Sequence, residues 1–168
     1  GALTTIEVIQ QALGTAQKSA EIALEVAGFV AEAAATAPPT VVGLANDATS
    51  GIRAAMKATR PGMFEYELQA SAEYVFKKGG ALGASYFALI ATGPNTYYTH
   101  YNANTSKLAN GDLVQFDYAP DFKYYQSDVT RVFPANGTFT PRQKEMYEIY
   151  LKLYQAVLTS IQVHKTPA

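Results

Sequence analysis

Apolar residues recur at helical spacing through the first part of the chain. Residues 4–36 are rich in alanine, and their apolar positions follow one face of a helix. These positions are Ile6, Ile9, Leu13, Ala16, Ala20, Ala23, Leu24, Ala27 and Val30. Pro38-Pro39 is expected to end this helix, because proline cannot continue the backbone hydrogen bonds. Residues 1–45 are therefore predicted to form an Ala-rich helical connecting segment, with a dimerisation helix as the alternative.

Two shorter helices are predicted next. Asn46 or Asp47 is expected to cap the first, which runs through Ala58. The second is expected over residues 64–78. Gly79-Gly80 follows it, and glycine readily takes the left-handed conformation that ends a helix.

β-branched and aromatic residues then replace the helical pattern. They predict strands over residues 85–92 and 96–101, joined by a turn at Gly93-Pro94-Asn95. After these strands and the hairpin described below, Thr140 to Gln143 has the sequence of a helix capping box. The helix that follows is predicted to reach about His164. Its apolar face is formed by Met146, Ile149, Leu153, Val157 and Ile161.

A β-hairpin is predicted from two strand-like segments, residues 113–119 and 124–133, with a turn marked by Pro120-Asp121. If it folds about the midpoint between Phe122 and Lys123, Asp117 lies directly opposite Asp128. The same register sets Gln115 opposite Thr130 and directs Arg131 to the other face.

Two like charges directly opposite each other on a sheet repel. A shared proton, an Arg or Lys, or a metal ion with oxygen ligands would relieve that repulsion. Because the nearest cationic residue, Arg131, projects to the other face, a metal is the favoured interpretation. The alternative is a solvated hairpin in which Asp117 and Asp128 turn apart into water.

Composition narrows the functional classes. The chain has 168 residues, 48% of them hydrophobic, and a net charge of −1. It can bury one core, and it has no basic field for nucleic acid or an anionic membrane. The most apolar region, residues 27–45, contains Glu32 and Pro38-Pro39, so no membrane span is expected. The absence of cysteine fits either a cytoplasmic or an exported protein, and the compartment stays open.

Four segments of the chain, in order, resemble the M24 metallopeptidases. They are RPGMFEYEL (60–68), ATGPNTYYTHYN (91–102), LANGDLVQFDYAP (108–120) and YYQSDVTRVFPANGTFTPRQKEMYE (124–148). Together they are most similar to the Xaa-Pro peptidase branch, over about residues 50–168. The resemblance implies an α+β fold in which helices pack on an antiparallel sheet, the first half of a pita-bread fold. Residues 46–168 would form this part of the catalytic domain, with the second half absent.

The resemblance also implies roles for single residues. Asp117 and Asp128 fall where the family has its first two metal ligands, and His100 where it has a substrate-binding histidine. Arg131 and Thr130 would orient the metal ligands without binding the metal themselves. Tyr98 and Tyr101 are candidates for a substrate pocket, although tyrosine is also an ordinary packing residue in sheets.

The family completes its metal site with a His and two Glu that this chain does not supply. The only histidine after Asp128 is His164. We interpret it as a cationic residue near the C-terminal end of a helix, where a positive charge is favourable. The complete site would hold two divalent ions, Mn²⁺, Co²⁺ or Zn²⁺, and this chain alone need not retain them. A smaller departure is Tyr118-Ala119 after Asp117, where family members commonly have Ala-Gly. It is expected to change the packing and keep the carboxylate.

The resemblance implies a metal-dependent exopeptidase that hydrolyses the Xaa-Pro bond at the N-terminus of peptides, as an aminopeptidase or a dipeptidase. Its partners would be a peptide with proline in second position and further copies of the same chain. This chain alone is expected to be inactive, because the general base and remaining ligands are missing. The alternative is a non-catalytic M24-like module that binds peptides or other proteins. Retention of two opposed acids favours the enzyme.

Overall fold

The computed structural model describes residues 39–160 of the chain. The predicted helix over residues 4–36, together with Ile161 and His164, lies outside the described residues. The helices are α1 (Pro39–Ala58), α2 (Glu65–Gly79) and α3 (Pro141–Ser160), with a 3-10 helix at Gly93–Tyr97. The strands are β1 (Gly83–Ala84), β2 (Leu89–Thr92), β3 (Leu113–Asp117), β4 (Pro120–Phe122), β5 (Tyr125–Gln126) and β6 (Thr130–Pro134). None of the helices within residues 39–160 is long and apolar enough to cross a membrane.

Helix α1 begins at Pro39, so the predicted cap at Asn46 or Asp47 is wrong. Proline suits the first helical position, because its fixed φ is helical and its missing N–H is not needed there. The buried stripe of α1 starts before Asn46. It comprises Leu44, Ala48, Ile52 and Ala55. The apolar face therefore extends the helix past two residues that could have capped it.

Helix α2 ends as predicted, because Gly80 caps it in the left-handed conformation with a φ of 97°. Its buried face is formed by Glu65, Leu68, Ala72 and Phe76. The ring of Phe76 lies directly against Gly51 of α1, at a distance that leaves no room for a Cβ atom. A glycine at this point lets the two helices approach closely.

Two antiparallel three-stranded sheets follow, with the strand orders β2-β3-β6 and β1-β4-β5. Ile90, Val114, Phe116 and Phe133 share one face of the first sheet, and they form the core together with the buried faces of α1 and α2. The side chain of Asp117 lies on the other face.

The predicted strand over residues 96–101 is wrong, and the one over residues 85–92 is confirmed only for its second half. Residues 93–97 form the 3-10 helix instead, with Pro94 in its first turn. The hydroxyl of Thr96 donates to the carbonyl of Gly93, which stabilises this turn. Since Tyr97 and Tyr98 are exposed and pair with no strand, β propensity alone did not decide their conformation.

The hairpin turn is displaced by one residue from the predicted position. Its two central residues are Lys123 and Tyr124, with φ values of 53° and 68°. Pro120 and Asp121, predicted as turn residues, are in β4, where they pair with Ala84 and Gly83 of β1. A neighbouring strand thus decided where the chain turns.

As a result, Asp117 is paired with Thr130, and the predicted direct opposition of Asp117 and Asp128 is wrong. Gln115 is paired with Val132 instead of Thr130. The shift amounts to two residues on the partner strand, so the alternation of faces is preserved. Arg131 is paired with Phe116 and lies on the opposite face from Asp117, as expected.

Residues from Phe139 onward form a separate compact unit. The capping box predicted for α3 is confirmed: the Thr140 N–H donates to Gln143 Oε1 at 2.9 Å, and the Gln143 N–H donates to Thr140 Oγ1 at 3.3 Å. The apolar face of α3 is exposed at Met146, Ile149, Leu153 and Val157.

Candidate active site

Asp117 occupies the last position of β3, where the alternation of the strand decides its direction. Val114 and Phe116 are fully buried on the core side, so Asp117 points away from the core and remains partly exposed. Leu89 of β2 and Thr130 of β6 flank it on the two neighbouring strands. The carboxylate is therefore held by a central strand at the point where the sheet ends.

Asp128 lies two residues before β6, outside the regular pairing. Its carboxylate nevertheless approaches that of Asp117, because both contact the hydroxyl of Tyr86. The distances are 2.5 Å from the Tyr86 oxygen to Asp117 Oδ1 and 3.2 Å to Asp128 Oδ1. The distance between the two carboxylate oxygens therefore cannot exceed the sum of these two distances.

The Tyr86 hydroxyl also accepts a hydrogen bond from the Val129 N–H at 3.4 Å. Burial raises the pKa of Tyr86, and the hydrogen bond to Asp117 raises it further. The phenol therefore stays protonated and serves as a donor. Tyr86 lies in the bend between β1 and β2, and it connects that bend to both acids.

The two acids have no cationic partner in the described part of the chain, where the ion pairs are confined to α3. Two hard oxygen donors that converge without a Lys or Arg fit a divalent metal ion better than a salt bridge. They form only part of a site, because residues 39–160 contain no group of three His, Cys, Asp or Glu able to hold a metal. Further ligands would have to come from elsewhere.

His100 lies in the loop that follows the 3-10 helix. Its side chain is exposed and its φ is 56°, in the left-handed region. Histidine tolerates this conformation better than most residues, although such positions are uncommon outside glycine. Its side chain makes no hydrogen bond to another described residue, so it remains free to contact a ligand.

The remaining candidates, Arg131, Tyr98 and Tyr101, make contacts that differ from those expected from the sequence. Arg131 donates to the carbonyl of Thr130 at 2.7 Å. Among residues 39–160 it forms no ion pair with either acid. Tyr98 is exposed, whereas the hydroxyl of Tyr101 donates to Glu65 Oε2 at 3.0 Å. Of the two pocket candidates, Tyr98 is the one whose hydroxyl makes no hydrogen bond to another residue in the part of the chain that the structure describes.

Sequence reasoning missed both Tyr86 and Glu65. No local signal distinguishes Tyr86 from the other tyrosines of the strand region. Glu65 does have one, since it stands in helical register with Leu68, Ala72 and Phe76 on the apolar face of α2. An acid on a buried stripe must find hydrogen-bond donors, and that requirement alone predicts a specific polar contact.

Comparison with known proteins identifies a family for this chain. The sequence model of metallopeptidase family M24 matches residues 44–168. The chain is 39% identical over 111 residues to Xaa-Pro aminopeptidase of Escherichia coli (strain K12), covering 66% of this chain and 24% of that protein. It is also 39% identical over 111 residues to human Xaa-Pro dipeptidase, covering 63% of this chain and 22% of that protein.

Among solved structures, zinc-substituted E. coli aminopeptidase P in complex with product matches with a TM-score of 0.71 and 34% identity. The match covers 76% of this chain and 30% of that one. The chain thus spans about a quarter of the length of the relatives it matches.

Proposed function

Because this chain belongs to metallopeptidase family M24, we propose that it forms part of the catalytic domain of an exopeptidase that cleaves Xaa-Pro bonds at the N-terminus of peptides. Its α+β fold is the first half of the pita-bread fold. The observation that carries the proposal is the convergence of the Asp117 and Asp128 carboxylates on the hydroxyl of Tyr86. We call the protein that would contain this chain together with the remainder of the catalytic domain the complete protein.

Asp117 and Asp128 would supply two of the ligands for a pair of divalent ions, Mn²⁺, Co²⁺ or Zn²⁺. Such ions, when bound, acidify a water molecule and polarise the scissile carbonyl. A carboxylate offers two oxygens and several lone pairs, so Asp117 can keep its hydrogen bond from Tyr86 and still ligate. Tyr86 would then fix the direction in which Asp117 presents its free lone pairs.

His100 would act on the substrate. An imidazole N–H can donate to the substrate carbonyl and to the oxyanion that develops during attack, and a donor fixed in advance lowers the barrier. The exposed side chain and the left-handed backbone at His100 support this role. Tyr98 would add apolar surface for the proline ring. Thr130 and Arg131 would support Asp117 indirectly, by holding β6 beside it.

Two substitutions in the complete protein separate these roles. Asp128→Asn preserves size and removes charge, so we expect metal content and Xaa-Pro hydrolysis to fall together. His100→Ala removes a substrate contact, so we expect metal content to survive while kcat/KM falls by about 100- to 1000-fold. Metal content is measured by elemental analysis after titration, and turnover on an Xaa-Pro peptide in the same preparations.

Asp121→Asn is the matched control, because Asp121 lies in the same hairpin but accepts its hydrogen bond from the Tyr124 N–H instead of Tyr86. It should retain both metal and activity. Unchanged turnover in the Asp128 variant would contradict the peptidase proposal. Binding of Xaa-Pro peptides without metal or hydrolysis would instead establish the non-catalytic binding module.

A further inference from the structure

Glu65 is the first residue of α2, and it is fully buried. Its Oε1 accepts hydrogen bonds from the Thr92 N–H at 2.8 Å and the Asn95 amide at 3.1 Å. Its Oε2 accepts from the Tyr101 hydroxyl at 3.0 Å and the Ser106 N–H at 2.9 Å. Each carboxylate oxygen is therefore saturated by two donors.

All four donors are neutral groups. A buried carboxylate is costly unless hydrogen bonds replace its lost water, and an ionised carboxylate can only accept. Within residues 39–160 no Lys or Arg forms an ion pair with Glu65. The charge is held by oriented donors alone, so the positions of these donors and of Glu65 depend on each other.

The four donors belong to one segment, residues 92–106. Thr92 ends β2, Asn95 lies in the 3-10 helix, and Tyr101 directly follows His100. Ser106 closes the segment, and its hydroxyl also accepts from the Asn95 amide at 2.8 Å. Glu65 thus contacts the start, the middle and the end of the loop that carries His100.

We propose that Glu65 is a positioning residue for the reaction, which fixes the loop so that His100 is held relative to the strand that presents Asp117. This inference rests on the proposed function of His100. β2 connects the two, because it ends at Thr92 and pairs with β3 through Leu89 and Asp117. Two further hydrogen bonds hold the loop close to β2 independently of Glu65. The Asn104 side chain accepts from the Ile90 N–H and donates to the Ala88 carbonyl.

Glu65→Gln is the sharpest variant, because it keeps the shape and replaces one acceptor oxygen by an NH₂ group. That group must face a donor N–H or the Tyr101 hydroxyl, so the loop loses part of its anchorage. Glu67→Gln is the matched control on the same helix. Glu67 accepts from the Phe64 N–H at 2.6 Å, a contact that glutamine can also make.

In the complete protein we expect Glu65→Gln to lower kcat by up to about 100-fold with metal content unchanged, because small misplacement of a catalytic group is costly. If Glu65 acts through His100, adding Glu65→Gln to His100→Ala should cause little further loss. Glu67→Gln should leave kcat unchanged. Losses that multiply in the double variant would overturn the proposal.

Hydrogen exchange provides a readout that does not depend on activity. Glutamine keeps one acceptor oxygen, so in Glu65→Gln at least one of the two amides that donate directly to Glu65, those of Thr92 and Ser106, should exchange about tenfold faster or more. The β3–β6 amides should remain protected. Tyr101→Phe removes a single donor and should accelerate exchange at Ser106 to a smaller degree. Unchanged exchange, or equal loss of protection in the sheet, would overturn the anchoring role.

The two measurements also separate this inference from the proposed function. If the unmodified complete protein does not hydrolyse Xaa-Pro peptides, the proposed function fails, and the reaction role of Glu65 fails with it. Normal turnover in the unmodified protein with unchanged exchange in Glu65→Gln would contradict the positioning role alone.

Discussion

The phenol of Tyr86 carries one proton and contacts two carboxylates, so it can donate to only one of them at a time. The proton lies in the shorter contact, to Asp117. Asp128 approaches the same hydroxyl oxygen at a longer distance and receives no proton from it. A neutral phenol, which carries no positive charge, therefore brings the two acids together. Each carboxylate keeps further lone pairs that are available to a metal ion.

Tyr86→Phe tests that interpretation in the complete protein. The substitution removes one hydroxyl and keeps the ring, so Asp117 loses the donor that orients it. We expect metal affinity to fall by about 10- to 100-fold, the usual effect of losing a hydrogen-bond partner of a ligand. Metal titration by calorimetry measures it. Tyr97→Phe, at an exposed ring, is the control, and equal affinities in all three proteins would contradict the role of Tyr86.

At the scale of elements, the contact between α1 and α2 depends on the missing side chain of Gly51. Phe76 fills the space that a Cβ atom would need, and its ring also packs against Tyr118 with centroids 5.6 Å apart. The hydroxyl of Tyr118 donates to Glu73 at 2.7 Å, which ties the end of β3 to the same helix. Burial raises the pKa of Tyr118, and the hydrogen bond to Glu73 raises it further. Tyr118 is thus a buried residue that packs between β3 and α2.

Gly51→Ala is predicted to destabilise the fold. Alanine normally favours a helix over glycine by about 1 kcal/mol, but here its methyl group would overlap the ring of Phe76. Overpacking of this kind typically costs about 1–3 kcal/mol, so the net change should be a loss of stability.

Denaturant unfolding of the chain measures this loss. Gly83→Ala is the control, because nothing lies within 4 Å of the added methyl group. If Gly51→Ala unfolds at the same or a higher denaturant concentration than Gly83→Ala, the close approach of α1 and α2 is not a constraint.

At the scale of the whole molecule, the chain spans about a quarter of the length of the relatives it matches, and α3 exposes an apolar face. Met146, Ile149, Leu153 and Val157 follow each other at intervals of three or four residues, the spacing of a face that normally packs against another element. The exposed fractions are 47% for Ile149 and 62% for Leu153. Such a face favours association.

We therefore predict that the isolated 168-residue chain associates with itself in a concentration-dependent way. Sedimentation velocity measures the distribution of species. Replacing Ile149 and Leu153 by lysine should shift the distribution toward monomer, because a charge on the apolar face opposes burial. Gln155→Lys adds a charge on another side of α3 and should change little. A monodisperse monomer of the unmodified chain would contradict the prediction.

Sequence by itself determined the features that depend on neighbours along the chain. The capping box of Thr140 and Gln143 formed as predicted, because its donors and acceptors lie within one turn. Gly80 ended α2 for a similarly local reason, its access to positive φ. The alternation along β3 also directed Asp117 away from the core, and the four matched segments indicated the family.

Tertiary structure decided what depends on residues distant in sequence. Pairing with β1 drew Pro120 and Asp121 into a strand and moved the hairpin turn to Lys123 and Tyr124. Tyr86 meets Asp117 across 31 positions, and Glu65 meets Ser106 across 41. Local propensity carries no information about such contacts, because their free energy depends on burial and on which donors the fold brings to a buried charge.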